Sequence, residues 1–509
     1  MLLLSIFLLA ACSDDTQEDP SKAEETQNET ETKTNDEEEN EEKQNNESDQ
    51  NENDEEQQEN NGKIENVTFN DSLEDFKPQG VQPGTYGKYD LSINMSEDLT
   101  SQIDAKIEIE NRSQDDWDEI KLYFIPESLI NGEYGTQFGR DGSVEINSVQ
   151  VRNQKAEFTS SDNGILTIPL DNKVASGEKA VVNISYSLRP SPEGIRLRRK
   201  NGSLFLAQWY PMLPTYQNGE WNIEGYNPRG ESYLTTNGSY TLEYQLPKDY
   251  YVMTSASDES DEPHQSGKVQ GDNLKEMYVG IMDPSIWYVN VFSGNNTDLR
   301  MAIKQGEKSQ EQKWQKAAKG SFVFFEEQIG DYPLDQLDMI QNSGGMEYAG
   351  IIEGSSVRSG PRANATIIHE IAHQWFYYQV NNDPYYNAWV DEGITEFATT
   401  LYLMEVKPYE EALQFADRLN SIPGPDKVAN LPISEYQQTY GKAVYGQPVK
   451  ELWRFFEPNG GQDAALEFLS TYYNLYQGKQ VTTDEFVRFF RAYVENEPEG
   501  YLESWLKLD

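Results

Sequence analysis

Two of the three histidines in this chain of 509 residues lie four positions apart, at His369 and His373, with Glu370 between them. Side chains four residues apart share one face of an α-helix, about 6 Å from each other, so both imidazoles can reach one metal ion. A catalytic zinc ion takes three protein ligands and keeps a fourth position open. Glu392, nineteen residues after His373, is a candidate third ligand. Glu370 is then free to act as a base, so the spacing predicts a centre that activates water.

Two helices must position these groups. The first carries both histidines, and its apolar residues would anchor it in a core. The second would carry Glu392 after the chain turns at the sequence NNDP, so that the carboxylate comes alongside the histidines. The apolar positions of the first helix are Ile368, Ile371, Ala372, Trp375 and Phe376.

The pattern H-E-x-x-H, eighteen residues and then E resembles the zinc signature of the aminopeptidase N family of gluzincins. In this sequence it is formed by His369, Glu370, His373 and Glu392. The resemblance implies one Zn²⁺ per chain, held by the two histidines and Glu392, with Glu370 as the general base. Glu396, one helical turn beyond Glu392, is a candidate to orient an imidazole from outside the metal.

A second motif upstream strengthens the resemblance. The sequence GGMEY, with Gly345, Met346 and Glu347 at its centre, resembles the G-x-M-E-N exopeptidase motif. The resemblance implies that Glu347, with Gly345 and Met346, binds the free α-amine of a peptide. Tyr348 stands where the family has asparagine, which weakens the exopeptidase interpretation and leaves an endopeptidase open.

The family also has a tyrosine whose hydroxyl stabilises the oxyanion, and two residues here are candidates for it. Tyr445 lies just before an apolar helical pattern, and Tyr440 is followed by Gly441 and Lys442, as in the family segment. We favour Tyr445 and keep Tyr440 as the alternative.

The resemblance covers about residues 86 to 509 and implies a multidomain α+β fold. A saddle-like, antiparallel β domain would precede a thermolysin-like, mainly helical catalytic domain. The implied function is that of a zinc aminopeptidase. We predict a monomer, and the export predicted from the first residues would make its substrates extracellular peptides. A zinc endopeptidase is one alternative, and a catalytically silent peptide-binding lipoprotein is another.

Net charge and its distribution define the N-terminal part of the chain. Residues 13–62 hold 21 acidic residues and three lysines, a net of −18 out of −47 for the whole chain, and Ala23 is their one apolar residue. Such a segment cannot bury enough apolar surface to fold, so it predicts a disordered tether. The overall negative charge argues against nucleic acid and anionic membrane surfaces as partners.

The first residues predict export. The apolar run from Leu2 to Ala11 is too short to span a membrane and precedes Cys12, the chain's single cysteine. The sequence LAAC resembles a bacterial lipobox, which implies cleavage before Cys12 and lipidation of that residue. The membrane would then be contacted through the lipid alone, on the outer side of the cell.

The remaining pattern gives the domain division. Short runs such as SVEINSVQV alternate polar and apolar residues, as in half-buried strands, and after Lys304 the period changes to about 3.6. We therefore predict a signal peptide over 1–11, the lipidated cysteine and tether over 12–62, the β-rich domain over 63–300, and the peptidase domain over 301–509.

Overall fold

The structure is a computed structural model in which a β-rich N-terminal domain precedes a helical region, as the sequence predicts. It describes residue 64 and residues 67–70, 72–132, 141–194, 196–257, 260–342, 344–354 and 364–508. The predicted signal peptide, Cys12 and the tether lie outside the described residues. Within the described ranges, no helix is both long enough and apolar enough to cross a bilayer.

Among the described residues of the β domain there is one short helix, α1 (Ile125–Ile130). Its strands are β1 (Thr85–Met95), β2 (Ser101–Asn111), β3 (Trp117–Tyr123), β4 (Ser143–Val151), β5 (Gln154–Lys155), β6 (Thr159–Ser160), β7 (Ile165–Val174), β8 (Lys179–Arg189), β9 (Leu197–Lys200), β10 (Ser203–Leu206), β11 (Thr215–Gln217), β12 (Glu220–Asn222), β13 (Gly238–Thr254), β14 (His264–Leu274) and β15 (Val279–Met282).

A large sheet and a smaller sheet enclose the core of this domain. The large sheet has the order β5-β4-β8-β2-β1-β13-β15-β10-β9, with β14 also paired to β13, and the small sheet has the order β3-β7-β6. Neighbouring strands of the large sheet are antiparallel except β1 and β13. Every second side chain of β8 is buried, as alternation predicts. These side chains form one core with residues of the small sheet such as Ile120 and Ile168.

The helical region follows and includes a second sheet. Its strands are β16 (Trp287–Gly294), β17 (Thr297–Lys304), β18 (Gln336–Gln341), β19 (Met346–Tyr348), β20 (Ile351–Gly354), β21 (Val380–Asn381) and β22 (Lys479–Gln480). Its helices are α2 (Glu311–Gln328), α3 (Ala365–His373), α4 (Ala388–Val406), α5 (Tyr409–Asp417), α6 (Gln447–Phe456), α7 (Gly461–Tyr476) and α8 (Thr483–Tyr493). The helical period predicted after Lys304 is confirmed by α2, whose buried face includes Trp314, Phe322 and Phe325.

The sheet of the helical region has the order β16-β17-β18-β20-β19. Residue 300, predicted as the end of the β domain, therefore lies inside β17 rather than between domains. By sheet membership the helical region starts near Trp287. Alternating strands occur on both sides of this point, so sequence periodicity could not show which sheet each strand joins.

Helix α4 lies at the centre of the helical core. All of its residues from Ala388 to Leu403 are buried, and it packs against α3 on one side and α6 on another. The helix is thus buried on every side, including the side that carries Glu392 and Glu396. The two helices predicted to carry the metal ligands are therefore α3 and α4, packed directly together.

Candidate metal centre

Atoms of His369, His373 and Glu392 converge on one point. His369 Nε2 lies 3.1 Å from His373 Nε2 and 3.3 Å from Glu392 Oε2, and His373 Nε2 lies 3.2 Å from the same oxygen. Tetrahedral zinc with bonds of about 2.0 Å places its ligand atoms roughly 3.3 Å apart. The three atoms thus form one face of such a tetrahedron. The donor set fits zinc, and the structure brings the three predicted ligands together.

Close packing of α4 brings Tyr445 to this centre. A Cβ at Gly393 would lie 2.7 Å from Pro448 Cγ and 2.8 Å from the carbonyl oxygen of Val444. Only glycine allows so close an approach. Because Tyr445 follows Val444 directly, this contact places Tyr445 beside Glu392.

Each candidate imidazole ligand also has a partner at its outer nitrogen. His369 Nδ1 lies 2.9 Å from Glu396 Oε2, as the sequence predicts, and Arg418 pairs with the other oxygen of Glu396. His373 Nδ1 lies 3.1 Å from Thr395 Oγ1, a contact that the sequence analysis did not identify. Partners of this kind fix the orientation of a ligating ring.

The charges in the centre favour metal binding by Glu392. Burial acts to raise the pKa of Glu392, but its contacts with His369 and His373 outweigh burial and hold this pKa well below its usual range. Burial lowers the pKa of His373, which keeps its imidazole neutral. Glu392 and His373 therefore have the protonation states that a metal ligand needs. Burial acts to lower the pKa of His369, but its contacts with Glu392 and Glu396 outweigh burial and raise this pKa well above its usual range, so metal binding there displaces a proton.

Glu370 is buried beside the three candidate ligands, and its Oε2 has no hydrogen-bond partner among the described residues. Burial raises its pKa to about 8, with His369 acting in the opposite direction. A nearby zinc ion would lower this pKa, because an opposite charge favours the carboxylate. A Cβ at Gly345 would lie 2.1 Å from Glu370 Oε1, so Gly345 makes room for the candidate base.

Glu347 points toward the centre from β19. Its carboxylate, a carboxylate oxygen of Glu370 and an imidazole nitrogen of His373 all lie within 4.8 Å of one another. Burial raises the pKa of Glu347 well above its usual range, and neighbouring carboxylates add to this. Met346 and Tyr348 lie on the other face of the strand, in an apolar cluster. The predicted contribution of Met346 to amine binding is therefore not supported by its position.

A second carboxylate beside Glu347 comes from the β domain. Carboxylate oxygens of Glu231, Glu347 and Glu392 lie within 4.8 Å of one another, and Arg196 forms a buried ion pair with Glu231. Burial acts to raise the pKa of Glu231, but Arg196 outweighs it, so the net pKa is lowered. The sequence analysis missed Glu231 and Arg196. No local pattern could have identified them, because Glu231 and Glu347 are more than a hundred residues apart.

Both candidate tyrosines lie near the centre, at different depths. The Tyr445 hydroxyl donates a hydrogen bond to Glu392 Oε1, and its ring centroid lies 5.9 Å from that of His369. Tyr440 packs against the Tyr445 ring at 5.8 Å, with its hydroxyl against Gly230. The structure thus places Tyr445 in direct contact with a candidate metal ligand, and Tyr440 behind it, against the Tyr445 ring.

Solved structures share this architecture. A crystal structure of an M1 zinc metallopeptidase from Deinococcus radiodurans matches with a TM-score of 0.60, covering 84% of this chain and 95% of that one at 16% identity. Yeast LTA4 hydrolase in complex with bestatin matches with a TM-score of 0.59, covering 85% of this chain and 69% of that one at 14% identity. The chain has the fold of a two-domain zinc metallopeptidase, which confirms the predicted fold class.

The helical region also matches at the level of sequence. Residues 315–505 match the model of the Peptidase family M1 domain. The chain therefore contains an M1 metallopeptidase domain, and zinc is the cofactor of that family. All the candidate metal ligands lie within the matched residues, together with Glu347, Glu370 and Tyr445.

Curated relatives match over the same region. Leukotriene A-4 hydrolase of Xenopus laevis is 25% identical over 192 residues, which are 34% of this chain and 32% of that protein. Aminopeptidase 2 of Candida albicans is 26% identical over 188 residues, which are 32% of this chain and 20% of that protein. The matched stretch thus spans a third or less of each of these relatives.

Proposed function

We propose that this protein is a zinc aminopeptidase that removes N-terminal residues from extracellular peptides. The observation that carries the proposal is the position of Glu347 and Glu231 beside the zinc donor set. A buried ammonium group is costly to desolvate unless carboxylates pair with it. A substrate amine bound between these two carboxylates would hold the first peptide bond at the zinc ligands.

The residues of this chain have distinct parts in the proposed reaction. Zinc, when held by His369, His373 and Glu392, supplies a Lewis acid for the peptide carbonyl. Glu370 accepts a proton from the attacking water and returns it to the leaving amine. The Tyr445 hydroxyl donates a hydrogen bond to the carbonyl oxygen as its negative charge develops.

The test compares a peptide that has a free N-terminus with its N-acetylated twin, using the zinc-loaded protein. The wild type should cleave the free peptide with much the higher kcat/KM, and Glu370→Gln should lose at least about a hundredfold in kcat while keeping one zinc ion. Glu347→Gln should lower kcat/KM for the free peptide and leave the acetylated peptide almost unaffected.

Other outcomes favour the alternative functions. Equal cleavage of both peptides by the wild type would indicate a zinc endopeptidase, for which Tyr348 in place of asparagine is the sequence argument. No cleavage of either peptide by protein that holds zinc would favour a peptide-binding lipoprotein. Undiminished activity in Glu370→Gln would contradict the mechanism.

We also propose that the protein acts outside the cell, as a monomer anchored by a lipid on Cys12. The lipobox-like sequence supports this location, and the acidic residues 13–62 would separate the peptidase from the membrane. Each buried CH₂ of a lipid chain contributes about 0.8 kcal/mol to membrane binding. Cys12→Ala should therefore release the protein from the membrane fraction or leave its signal uncleaved. A processed Cys12→Ala protein that stays in the membrane fraction would contradict the anchor.

A further inference from the structure

The two candidate amine-binding carboxylates belong to different parts of the fold. Glu231 follows β12 in the β domain, whereas Glu347 lies on β19 in the helical region. Their separation therefore depends on how the β domain contacts the helical region. Two arginines contact these two parts: Arg196, just before β9, pairs with Glu231, and Arg198, within β9, pairs with Glu353. Their side chains are 6% and 3% exposed.

Extended-chain alternation directs Arg196, which immediately precedes β9, and Arg198 of β9 to the same side. Residues two apart on a strand share a face. Leu197, between them, lies in the core of the β domain, and Arg199 pairs with the exposed Asp141. Arg196 and Arg198 therefore share one side, on which Arg196 pairs with Glu231 and Arg198 pairs with Glu353, while their neighbours point elsewhere.

Arg196 holds the first carboxylate. Its Nη1 donates a hydrogen bond to Glu231 Oε1, and both side chains are buried. A buried arginine beside a carboxylate fixes its orientation and favours its ionised form. Glu231 therefore remains a charged, oriented partner for an ammonium group even though it lies close to Glu347.

Arg198 holds the hairpin that carries the second carboxylate. Its Nη2 donates a hydrogen bond of 2.7 Å to Glu353 Oε2, and Asn342 Nδ2 donates one of 2.8 Å to the same oxygen. Glu353 lies on β20 directly opposite Met346 of β19. The ion pair thus ties the hairpin to the β domain one residue from Glu347.

Aromatic packing supports the same hairpin. The Tyr348 ring stacks on Tyr278 of the β domain, with centroids 4.6 Å apart and planes at 21°. The Tyr278 hydroxyl donates a hydrogen bond to Glu353 Oε1. Tyr348, which stands where the related motif has asparagine, therefore packs the hairpin against the β domain.

We propose that Arg196 and Arg198 are positioning residues that set the spacing of Glu231 and Glu347 and so determine the preference for free N-terminal amines. Arg196 acts through Glu231, and Arg198 acts through Glu353 and the β19-β20 hairpin. Amine recognition then requires the contact between the β domain and the helical region. This inference rests on the proposed aminopeptidase function and assigns a part of it to residues outside the zinc motifs.

The test measures free-amine preference, defined as kcat/KM for a free peptide divided by kcat/KM for its acetylated twin. Arg196→Lys and Arg198→Lys keep a buried positive charge, so both should fold. A lysine cannot reproduce the planar fork of arginine. We expect each variant to lose about tenfold in preference, through a higher KM for the free peptide. Zinc content and cleavage of the acetylated peptide should stay unchanged.

Arg199→Lys is the matched control, because Arg199 lies on the same strand and faces away from the site. It should keep the wild-type preference. Folded Arg196→Lys and Arg198→Lys proteins with unchanged preference would overturn the inference. So would an equal loss on free and acetylated peptides, since that indicates a general structural effect. A wild type without any preference would instead contradict the proposed function itself.

A double variant tests whether Arg196 acts through Glu231. Replacing the pair by neutral side chains, as Arg196→Met with Glu231→Gln, leaves no unpaired buried charge. If Arg196 acts only by holding Glu231, this double variant should have the same preference as Glu231→Gln alone. A further loss of tenfold or more beyond Glu231→Gln would show an independent contribution and overturn this part of the inference.

Discussion

At the scale of single residues, the candidate centre depends on groups that do not contact the metal. Glu396 is almost fully buried, lies between His369 and Arg418, and is one helical turn from Glu392. Burial acts to raise its pKa, but Arg418 and His369 outweigh burial and lower it, so Glu396 stays ionised. An ionised acceptor holds the His369 ring with Nε2 directed at the metal position.

Replacing this carboxylate should therefore weaken zinc binding. We expect Glu396→Gln to lower zinc affinity by about 10- to 100-fold, because the amide orients the imidazole less strongly. Competition with a chelating dye at constant pH measures this affinity. Glu405→Gln is the control, since Glu405 is exposed near the end of the same helix. Equal zinc affinity in Glu396→Gln and wild type would show that the contact with His369 is incidental.

At the scale of elements, the loop between α3 and α4 connects the helices that carry the candidate ligands. Asp383 Oδ1 accepts hydrogen bonds from the backbone N–H groups of Tyr385 and Tyr386, at 3.0 and 3.3 Å. Tyr386 in turn donates a hydrogen bond of 2.6 Å to Glu224 of the β domain. Burial raises the pKa of Asp383 to about 6, the two backbone bonds lower it, and Glu224 raises it.

This raised pKa gives a prediction about stability and pH. The unfolded chain releases the Asp383 proton near pH 4, whereas the folded chain keeps it up to about pH 6. The free energy of unfolding therefore falls as pH rises through this window. Above it, the folded protein carries the full cost of burying the ionised Asp383 carboxylate. Asp383→Asn keeps an acceptor for the backbone bonds and should stabilise the protein at pH 8 by about 1–2 kcal/mol, allowing for partial exposure.

Urea unfolding at pH 8 and at pH 4.5 measures the effect of Asp383→Asn. The increase in the free energy of unfolding over wild type should be smaller at pH 4.5, because the folded wild type already holds the Asp383 proton there. Asp249→Asn, at an exposed position of β13, is the control for the loss of one carboxylate. A gain from Asp383→Asn that does not depend on pH would contradict the assignment to this carboxyl group.

At the scale of the whole molecule, the segment just before the β domain contacts helices near the C-terminal end of the chain. Asn70 N–H donates a hydrogen bond of 2.8 Å to the Tyr493 carbonyl, and Asn459 Nδ2 donates one of 2.7 Å to the Ile64 carbonyl. The Phe69 ring lies 5.4 Å from Tyr493, centroid to centroid. Ile64, Phe69 and Asn70 therefore pack on the C-terminal helices, although the sequence predicts them as part of the β domain.

This packing distinguishes two truncations. Removing residues 13–62 should leave thermal stability unchanged, because we predict a tether without a packed core. Removing residues 13–72 also deletes Ile64 and Phe69 from the helical core. It should lower stability by roughly 2–4 kcal/mol, the usual cost of deleting large apolar side chains. Calorimetry of the two zinc-loaded proteins measures the difference. Equal melting temperatures would show that the residues removed only in the longer truncation contribute little to stability.

The sequence alone determined the local features of this protein. Residues four apart on a helix share a face whatever surrounds them, so the paired histidines and Glu370 were identified without a structure. Alternation in β8 and helical spacing in α2 were equally local, and both are confirmed. The resemblance to a known zinc motif identified Glu392. Glu396 was identified because it lies one helical turn beyond Glu392.

Only the tertiary structure decided which distant residues meet. Arg196, Glu231 and Glu347 come from three separate segments, and the buried carboxylates near the zinc ligands are brought together by the contact between the β domain and the helical region. The same contact explains Tyr348, which stacks across it. Such contacts depend on the packing of whole sheets and helices, because burial and ion pairing are set by the assembled core and not by neighbours along the chain.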